Sequence, residues 1–312
     1  MGTPEFARAP FAQLCQSRHQ LLALVTGRDK KAGRGHHLMA TPCKAEAESR
    51  EVKVLTPKSL KDEQLYQDLK NLNPDLFVVV AFRILPERLF TLPRFGSINI
   101  HASLLPKYRG AAPIHWALIN GEKETGLTSF FLRKQVDTGD IILQERFPIS
   151  DEDTYDSLSA RLSAESGPFL LKTLDMIEAG QSRPVPQNDH QATPAPKITP
   201  SNAIIDFGLP AENVRNFVRG LSTRPGACTS FRGRKVKIHR CAVDNLAGPA
   251  ETQPGSVLPD ARRLRVQCSN SAIEILRLVP EGKKEMDGRS FVNGFKPREG
   301  ELFGEVSQTV KG

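Results

Sequence analysis

The sequence predicts an α/β protein in which a doubly wound, mostly parallel sheet is followed by a small C-terminal β-barrel. Apolar runs of strand length alternate with helical segments in the first half of the chain, as when helices cover both faces of a parallel sheet. Residues 75–82 (DLFVVVAF) are apolar almost without interruption, which is typical of a strand buried on both faces. Beyond residue 204, short β-like runs separated by Gly and Pro indicate the barrel.

The individual elements follow from local patterns along the chain. Thr3 is predicted to cap the first helix, with Pro4 at its first position. Further helices are predicted at residues 59–72, 112–120 and 210–220. Strands are predicted at residues 20–26, 75–82, 97–101, 128–132 and 141–144, and beyond these at 236–243, 264–268 and 272–279. Between them, residues 27–40 are predicted to form a mobile loop.

A Pro-rich, polar stretch divides the chain into two domains. At 312 residues the chain is longer than one typical domain. Residues 181–201 have the composition of an extended linker. We therefore expect a first domain at 1–180, a linker at 181–203 and a second domain at 204–312.

Charge and cysteine content restrict the class of protein. The net charge is +8, and from Asp206 onward the chain holds 18 Lys and Arg but 12 Asp and Glu, so six of the eight excess charges lie there. Such an excess favours a polyanionic partner, although a plain solvated surface has the same signature. The five scattered cysteines form no C-x-x-C pair and indicate reduced packing residues. Without a signal sequence or an apolar run of membrane length, we expect a cytoplasmic protein that does not enter membranes.

Polar side chains at the end of one predicted strand are the candidates for chemistry. Asn99 and His101 are two residues apart in SINIH, so both point to the same face of the strand. Ligands of open α/β sheets bind beyond the carboxyl ends of strands, which is where these side chains lie. An amide and an imidazole together can stabilise an oxyanion and move a proton. Asp137, before a Thr-Gly turn, is placed as a carboxylate that orients the histidine.

These motifs resemble the signature of folate-dependent formyltransferases. The resemblance rests on INIHASLLPKYRGAAPIHWAL at 98–118 and on VDTGD at 136–140, and it extends loosely over nearly the whole chain. The stretch AAPIHWALINGEKETG at 111–126 is especially similar to the branch that acts on methionyl-tRNA. The resemblance implies a Rossmann-like catalytic domain and a barrel of the oligonucleotide-binding type that grips tRNA. It also implies transfer of formyl from 10-formyltetrahydrofolate to the amine of initiator methionyl-tRNA, by a protein expected to be a monomer.

The resemblance also implies roles for individual residues. Asn99 would donate a hydrogen bond to the formyl oxygen, His101 would shuttle the proton, and Asp137 would favour the protonated imidazole. For folate it implies a site formed by Ser103, Leu104, Leu105 and Pro106, with the pterin ring held near Phe82, Ile84, Leu85 and Asp140. For tRNA it implies contacts with Arg34 and Lys197. No metal is expected, because His36 and His37 lack a nearby cysteine or carboxylate set.

The sequence departs from the family pattern at two places, and three alternative functions remain open. Family members begin with a strand before the Gly-Thr-Pro turn, whereas only Met1 precedes Gly2 here, so we expect the first strand to be missing and its apolar neighbours exposed. Phe82-Arg83 stands where a Tyr-Gly pair is more common. The alternative functions are formyl transfer to an amino sugar or another small amine, hydrolysis of formyl-folate, and tRNA binding by a truncated, inactive chain.

Overall fold

The computed structural model describes residues 1–32, 37–245, 251–260 and 262–304, which divide into two compact units. The first unit contains Met1–Pro113, Glu124–Pro148 and Ser159–Pro196. The second contains Ile114–Lys123, Ile149–Leu158 and Lys197–Gly312. Two segments from the first half of the chain therefore belong to the second unit by their contacts.

Short helices and strands alternate from the N-terminus to residue 178. After a 3₁₀ turn at Glu5–Ala7, the helices are α1 (Arg8–Cys15), α2 (Pro42–Glu48), α3 (Glu63–Asn71), α4 (Glu87–Phe90), α5 (Pro113–Ile119) and α6 (Tyr155–Glu178). The strands are β1 (Leu24–Val25), β2 (Lys30–Ala32), β3 (His37–Met39), β4 (Val54–Leu55), β5 (Phe77–Val80), β6 (Ser97–His101), β7 (Glu124–Phe131) and β8 (Ile141–Pro148). β2 and β3 pair antiparallel within the predicted loop at 27–40.

Side-chain capping explains where several helices begin. Thr41 caps α2 by accepting the Lys44 N–H, with Pro42 at the first helical position. Asp62 caps α3 by accepting the Gln64 N–H. The prediction that Thr3 caps the first helix is wrong, because its hydroxyl accepts the N–H of Gly27 instead and ties two loops together.

The sheet of the first unit is mixed. Strands β5, β6, β7 and β8 are neighbours in that order, with β5–β6 parallel and the other two pairs antiparallel. Strands β1 and β4 form a separate parallel pair. The buried side chains of Leu65 and Leu69 on α3 and of Phe77 and Val79 on β5 lie in one apolar cluster, which fixes the helix on the sheet.

Two residues lie between β1 and β5, where the first strand of the family is expected. Gly2 donates its N–H to Val25 O at 3.2 Å, and Val80 donates its N–H to Met1 O at 2.9 Å. Beside them is a cavity of about 630 Å³, whose lining includes Phe77. Met1 and Gly2 therefore provide the backbone hydrogen bonds that join the β1–β4 pair to the four-stranded sheet.

The second unit contains an antiparallel sheet that curls into a half-barrel. Its elements beyond residue 204 are α7 (Ala211–Leu221), β9 (Ala227–Phe231), β10 (Arg234–Asp244), β11 (Val257–Leu258), β12 (Arg265–Gln267), β13 (Ala272–Pro280), β14 (Met286–Asp287) and α8 (Gly288–Phe295). The strand order is β11-β12-β13-β10-β9, and β14 pairs with β13. In its buried apolar cluster, Phe231 stacks on Phe303 and meets Phe291 edge to face. The predicted fold class, an α/β domain with a small β-barrel domain, is confirmed.

Length and hydropathy together rule out a bilayer-spanning segment among the helices that the structure describes.

Candidate active site

Strand β6 places Asn99 and His101 on the same face. In the parallel ladder Asn99 pairs with Val79, and on the other side His101 pairs with Thr128. This double pairing fixes the backbone, so alternation along the strand brings both side chains to one side at its carboxyl end. His101 is buried, and Asn99 is half-buried.

The His101 ring has an oxygen beside each of its nitrogens, and one of them is within hydrogen-bond distance. Nε2 lies 2.8 Å from the carbonyl oxygen of Tyr108, and Nδ1 lies 3.8 Å from Oδ2 of Asp137. A carbonyl oxygen only accepts hydrogen bonds, so Nε2 must be the donor. In the neutral ring the lone pair is then on Nδ1, on the side of the carboxylate. The ring is thus oriented to take up a proton at Nδ1.

Asp137 is fixed by its own backbone and by a neighbouring loop. Its φ of +55° is in the left-handed region, which costs roughly 1 kcal/mol or more for a residue with a side chain. Its Oδ2 accepts the Gly110 N–H at 2.8 Å. Gly110 itself has φ +127°, and a Cβ there would lie 2.5 Å from the carbonyl oxygen of Ala195. Only glycine allows the approach that brings this N–H to the carboxylate.

Within the described parts of the chain, the side-chain amide of Asn99 neither donates nor accepts a hydrogen bond. Its backbone is held on both sides by the sheet. Asn99 therefore presents an unengaged side-chain amide from a rigid strand beside His101.

A buried hydroxyl holds the loop at 103–106. Thr128 Oγ1 donates to Ser103 O at 2.6 Å and accepts the Leu105 N–H at 3.2 Å. Gln144 Nε2 donates to Leu105 O at 2.8 Å and to Thr128 Oγ1 at 2.9 Å. Thr128 and Gln144 were not among the residues predicted from the sequence, because their role depends on contacts with a distant loop. Leu104 and Pro106 are half-buried on the same loop.

The residues predicted to lie near a pterin ring differ in exposure. Leu85 is 7% exposed and packs in the apolar cluster under β5, so only its backbone can face a ligand. Ile84 is 73% exposed, and Phe82 is half-buried. The Arg83 guanidinium lies 5.3 Å from the centroid of the Phe82 ring and donates to the carbonyl oxygens of Pro57 and Lys58. The unusual Arg83 is thus bound to a neighbouring loop.

Asp140 has one carboxylate oxygen that is paired and one that is not. Oδ2 accepts from Arg133 Nη2 at 2.6 Å. Oδ1 is buried without a hydrogen-bond partner among the residues that the structure describes. A buried oxygen of this kind is costly unless a donor reaches it.

Of the two residues predicted to contact tRNA, the structure describes one. Arg34 lies outside the described residues. Lys197 belongs to the second unit and its side chain is exposed, while its carbonyl oxygen accepts from Asn202 Nδ2 at 3.1 Å. Both assignments stay predictions.

One group of side chains in the described ranges has the geometry of a possible metal site. It consists of His19, Asp175 and Glu178, and both carboxylates are exposed. Arg18 Nη2 donates to Asp175 at 2.7 Å and to Glu178 at 2.6 Å, so a cation already compensates their charge. The prediction that the protein uses no metal stays a prediction.

Comparison with known proteins identifies the family. Residues 1–174 match the profile of the family described as "Formyl transferase", and residues 197–296 match that of "Formyl transferase, C-terminal domain". A methionyl-tRNA formyltransferase of Caldanaerobacter subterraneus subsp. tengcongensis is 42% identical over 305 residues, which cover 97% of this chain and 98% of the relative. One of Carboxydothermus hydrogenoformans is 40% identical over 306 residues, covering 97% and 98%.

Solved structures with low sequence identity share the fold. WlaRD, a sugar 3N-formyl transferase solved with dTDP and 5-N-formyl-THF, has a TM-score of 0.65 at 17% identity, covering 91% of this chain and 97% of that one. HypX from Aquifex aeolicus in complex with tetrahydrofolic acid has a TM-score of 0.59 at 20% identity, covering 80% and 44%. The resemblance that the motifs indicated is confirmed by the family profiles and the curated relatives. The chain belongs to the formyltransferase family, in its methionyl-tRNA formyltransferase branch.

Proposed function

We propose that this chain transfers the formyl group of 10-formyltetrahydrofolate to the free amino group of initiator methionyl-tRNA. The observation that carries the proposal is the His101 ring, which lies between the Tyr108 carbonyl and the Asp137 carboxylate and shares a strand face with Asn99. Relatives named methionyl-tRNA formyltransferase, 42% and 38% identical over nearly the full chain, support this acceptor.

The reaction forms a bond between the amine nitrogen and the formyl carbon and breaks the bond from that carbon to N10 of the folate. Negative charge develops on the formyl oxygen between the two steps. The side-chain amide of Asn99 donates a hydrogen bond to this oxygen, and the bond strengthens as the charge grows. No covalent bond to the protein is required.

His101 moves the proton that the exchange of bonds releases. Nδ1 accepts the proton from the attacking amine and returns it to N10, the leaving nitrogen of tetrahydrofolate. The Asp137 carboxylate, 3.8 Å away, stabilises the imidazolium between these steps. The hydrogen bond from Nε2 to Tyr108 O remains in place throughout.

The residues around the trio fit a folate with its formyl group at Asn99. The unpaired, buried Oδ1 of Asp140 can accept an N–H of the pterin ring. The backbone near Phe82, Ile84 and Leu85 supplies further polar groups, and the exposed Ile84 side chain provides an apolar surface for the ring. The loop Ser103–Pro106, held by Thr128, would lie along the rest of the donor.

Basic side chains in the second unit support a tRNA acceptor. The turn between β13 and β14 and the start of β10 meet where Glu281 donates its N–H to Lys235 O. The exposed cations at this end of the half-barrel are Arg234, Lys235, Lys283 and Lys284. They outnumber the exposed carboxylates of Glu281 and Glu285, so this end would attract a phosphate backbone.

Arg34 and Lys197 complete the proposed tRNA contacts, on the basis of the motif positions alone. Arg is suited to phosphate and to stacking on unpaired bases of the acceptor end. We also propose a cytoplasmic location, since translation supplies the acceptor there, and a monomeric state.

The test is an acceptor comparison. The protein is incubated with 10-formyltetrahydrofolate and, in parallel, with charged initiator methionyl-tRNA, uncharged tRNA and an amino sugar, and formyl transfer is measured. We expect transfer to the charged tRNA alone, with turnover reduced about 100- to 1,000-fold in Asn99→Ala. Transfer to the amino sugar but not to methionyl-tRNA would contradict the proposal.

A further inference from the structure

The segment predicted as a linker runs along the loops that hold His101. Val185 and Ile141 exchange two backbone hydrogen bonds, both of 2.9 Å. Further along, Arg109 donates its N–H to Thr193 O at 2.9 Å, and Ala195 donates its N–H to Arg109 O at 2.6 Å. Residues 185–195 are therefore part of the first unit and pair with the start of β8 and with the Arg109 loop.

Gln187 is at the centre of this pairing and uses its whole amide. Its Nε2 donates to Asp137 O at 2.9 Å and to Gly139 O at 2.8 Å. Its Oε1 accepts from Arg109 Nε at 3.0 Å and from Arg109 Nη2 at 2.7 Å. Because all four bonds are made by one amide, Gln187 sets the distance between the Arg109 loop and the Asp137 loop.

Those two loops supply both partners of the His101 ring. Tyr108, next to Arg109, gives the carbonyl that accepts from Nε2, and Asp137 gives the carboxylate beside Nδ1. Gly110, on the other side of Arg109, donates to that same carboxylate. The left-handed backbone of Asp137 needs external support, which the bonds from Gln187 to Asp137 O and Gly139 O provide.

We infer that Gln187 and Arg109 are positioning residues for formyl transfer, which hold the Tyr108 carbonyl and the Asp137 carboxylate at the His101 ring. Neither side chain would touch the reacting atoms. The expected effect of these residues on turnover rests on the proposed function. Their effect on the geometry around His101 does not, because it concerns the protein without substrate.

The sharpest variant is Gln187→Glu. It keeps the size of the side chain and an acceptor for Arg109, but it replaces the two N–H donors by a carboxylate oxygen that faces two carbonyl oxygens. If Gln187 only filled space, this variant would behave like the unchanged protein. We expect kcat to fall about tenfold in Gln187→Ala and at least as far in Gln187→Glu, with KM for both substrates within about twofold.

The matched control is Gln191→Ala, which lies on the same segment with an exposed side chain that makes no hydrogen bond within the described residues. Arg109→Lys removes the forked donor and is expected to act in the same direction as Gln187→Ala. Gln191→Ala is expected to leave both kcat and KM unchanged.

A double variant shows whether Gln187 acts through the histidine. Residues that work as a unit are not additive, so Gln187→Ala should cause no further loss in a His101→Ala background, measured by single turnover. A further tenfold loss in that background would overturn the inference. If His101→Ala itself retained full turnover, the proposed function would fail first.

Amide hydrogen exchange tests the geometric part without any substrate. The Gly110 N–H is bonded to the Asp137 carboxylate, so its exchange should become about tenfold faster in Gln187→Ala and Gln187→Glu, and stay unchanged in Gln191→Ala. Unchanged exchange in all three variants would overturn the inference, even if the chain proved inactive on methionyl-tRNA.

Discussion

His101 Nδ1 lies 3.8 Å from Asp137 Oδ2, a separation longer than a direct hydrogen bond. The carboxylate is already engaged by the Gly110 N–H, and the other ring nitrogen by the Tyr108 carbonyl. In the proposed reaction, Asp137 would therefore act on the ring by its charge rather than by a short hydrogen bond.

The first prediction concerns that charge. Asp137→Asn keeps an oxygen that can accept from Gly110, so the loop should remain folded while the negative charge is lost. We expect kcat to fall about 10- to 100-fold, because general acid–base catalysis typically contributes about 100-fold or more and part of it remains. Single-turnover formyl transfer measures the change. A variant with an unchanged melting temperature and near-normal turnover would show that the charge is not used.

The second prediction concerns the loop at 103–106. Thr128→Val is close in shape but removes the hydroxyl that bonds to Ser103 and Leu105. We expect KM for 10-formyltetrahydrofolate to rise about tenfold, because the loop loses its anchor and a buried acceptor and donor become unsatisfied, at about 1–3 kcal/mol. Steady-state kinetics with varied donor measures it.

The control for that variant is Thr173→Val. Thr173 is equally buried and also loses hydrogen bonds, to Ser129 Oγ and Phe169 O, but it does not touch the loop. Both variants should lower the melting temperature, and only Thr128→Val should raise KM. An equal rise of KM in both would point to general loosening instead.

The third prediction concerns the basic end of the half-barrel. The double variant Lys283→Glu, Lys284→Glu should bind tRNA more weakly. The logarithm of its binding constant should also depend less steeply on the logarithm of the salt concentration, with a slope smaller in magnitude by up to about two. Filter binding over a range of salt concentrations measures this. Lys70→Glu with Lys172→Glu changes the net charge equally on exposed positions of the first unit, and it should leave the slope unchanged. If the two double variants changed the slope equally, the lysines would act only through the net charge of the protein and not through contact with tRNA.

Periodicity was sufficient to predict the face of the strand that carries Asn99 and His101, because side chains on a strand alternate whatever its neighbours are. The strands around it and the β-rich second unit were predicted on similar local grounds. The mixed sheet was not, since strand direction depends on which elements pair in space. The 24 residues of α6 were also not predicted as a helix, although they form the longest one described.

The residues that hold the site could not be predicted because their partners are distant in sequence. Gln187 is separated by 50 positions from Asp137, and Gln144 by 39 from Leu105. The Pro-rich composition of residues 181–201 indicates extended backbone, whereas the segment includes a 3₁₀ turn at Asp189–Gln191 and bridges to other parts of the first unit. Composition does not show what such a segment packs against, so a segment that bonds to the loops of Arg109 and Asp137 was interpreted as a linker.

The last prediction concerns stability of the second unit at mildly acidic pH. The His115 ring stacks on Tyr155 with centroids 3.7 Å apart, and its Nδ1 donates to Gly220 O at 2.7 Å. Burial lowers the pKa of His115 below its ordinary value of 6.5, against smaller opposing effects of the Gly220 hydrogen bond and of Asp156. The unfolded chain therefore binds a proton at this residue at a higher pH than the folded chain does. The contribution of the neutral His115 ring to the free energy of unfolding has its full value above pH 6.5. It decreases as the pH falls below 6.5.

His115→Asn provides the test, because its amide N–H can replace the Nδ1 donor to Gly220 but does not titrate. Urea unfolding at pH 7.5 and pH 5.5 should show a smaller loss of stability at the lower pH in His115→Asn than in the unchanged protein. His190→Asn, at an exposed position, is the matched control and should leave the pH dependence as it was. An identical loss of stability in all three proteins would mean that His115 is protonated in the folded state as readily as in the unfolded one. The stacking on Tyr155 would then have to accommodate a charged ring, which burial disfavours.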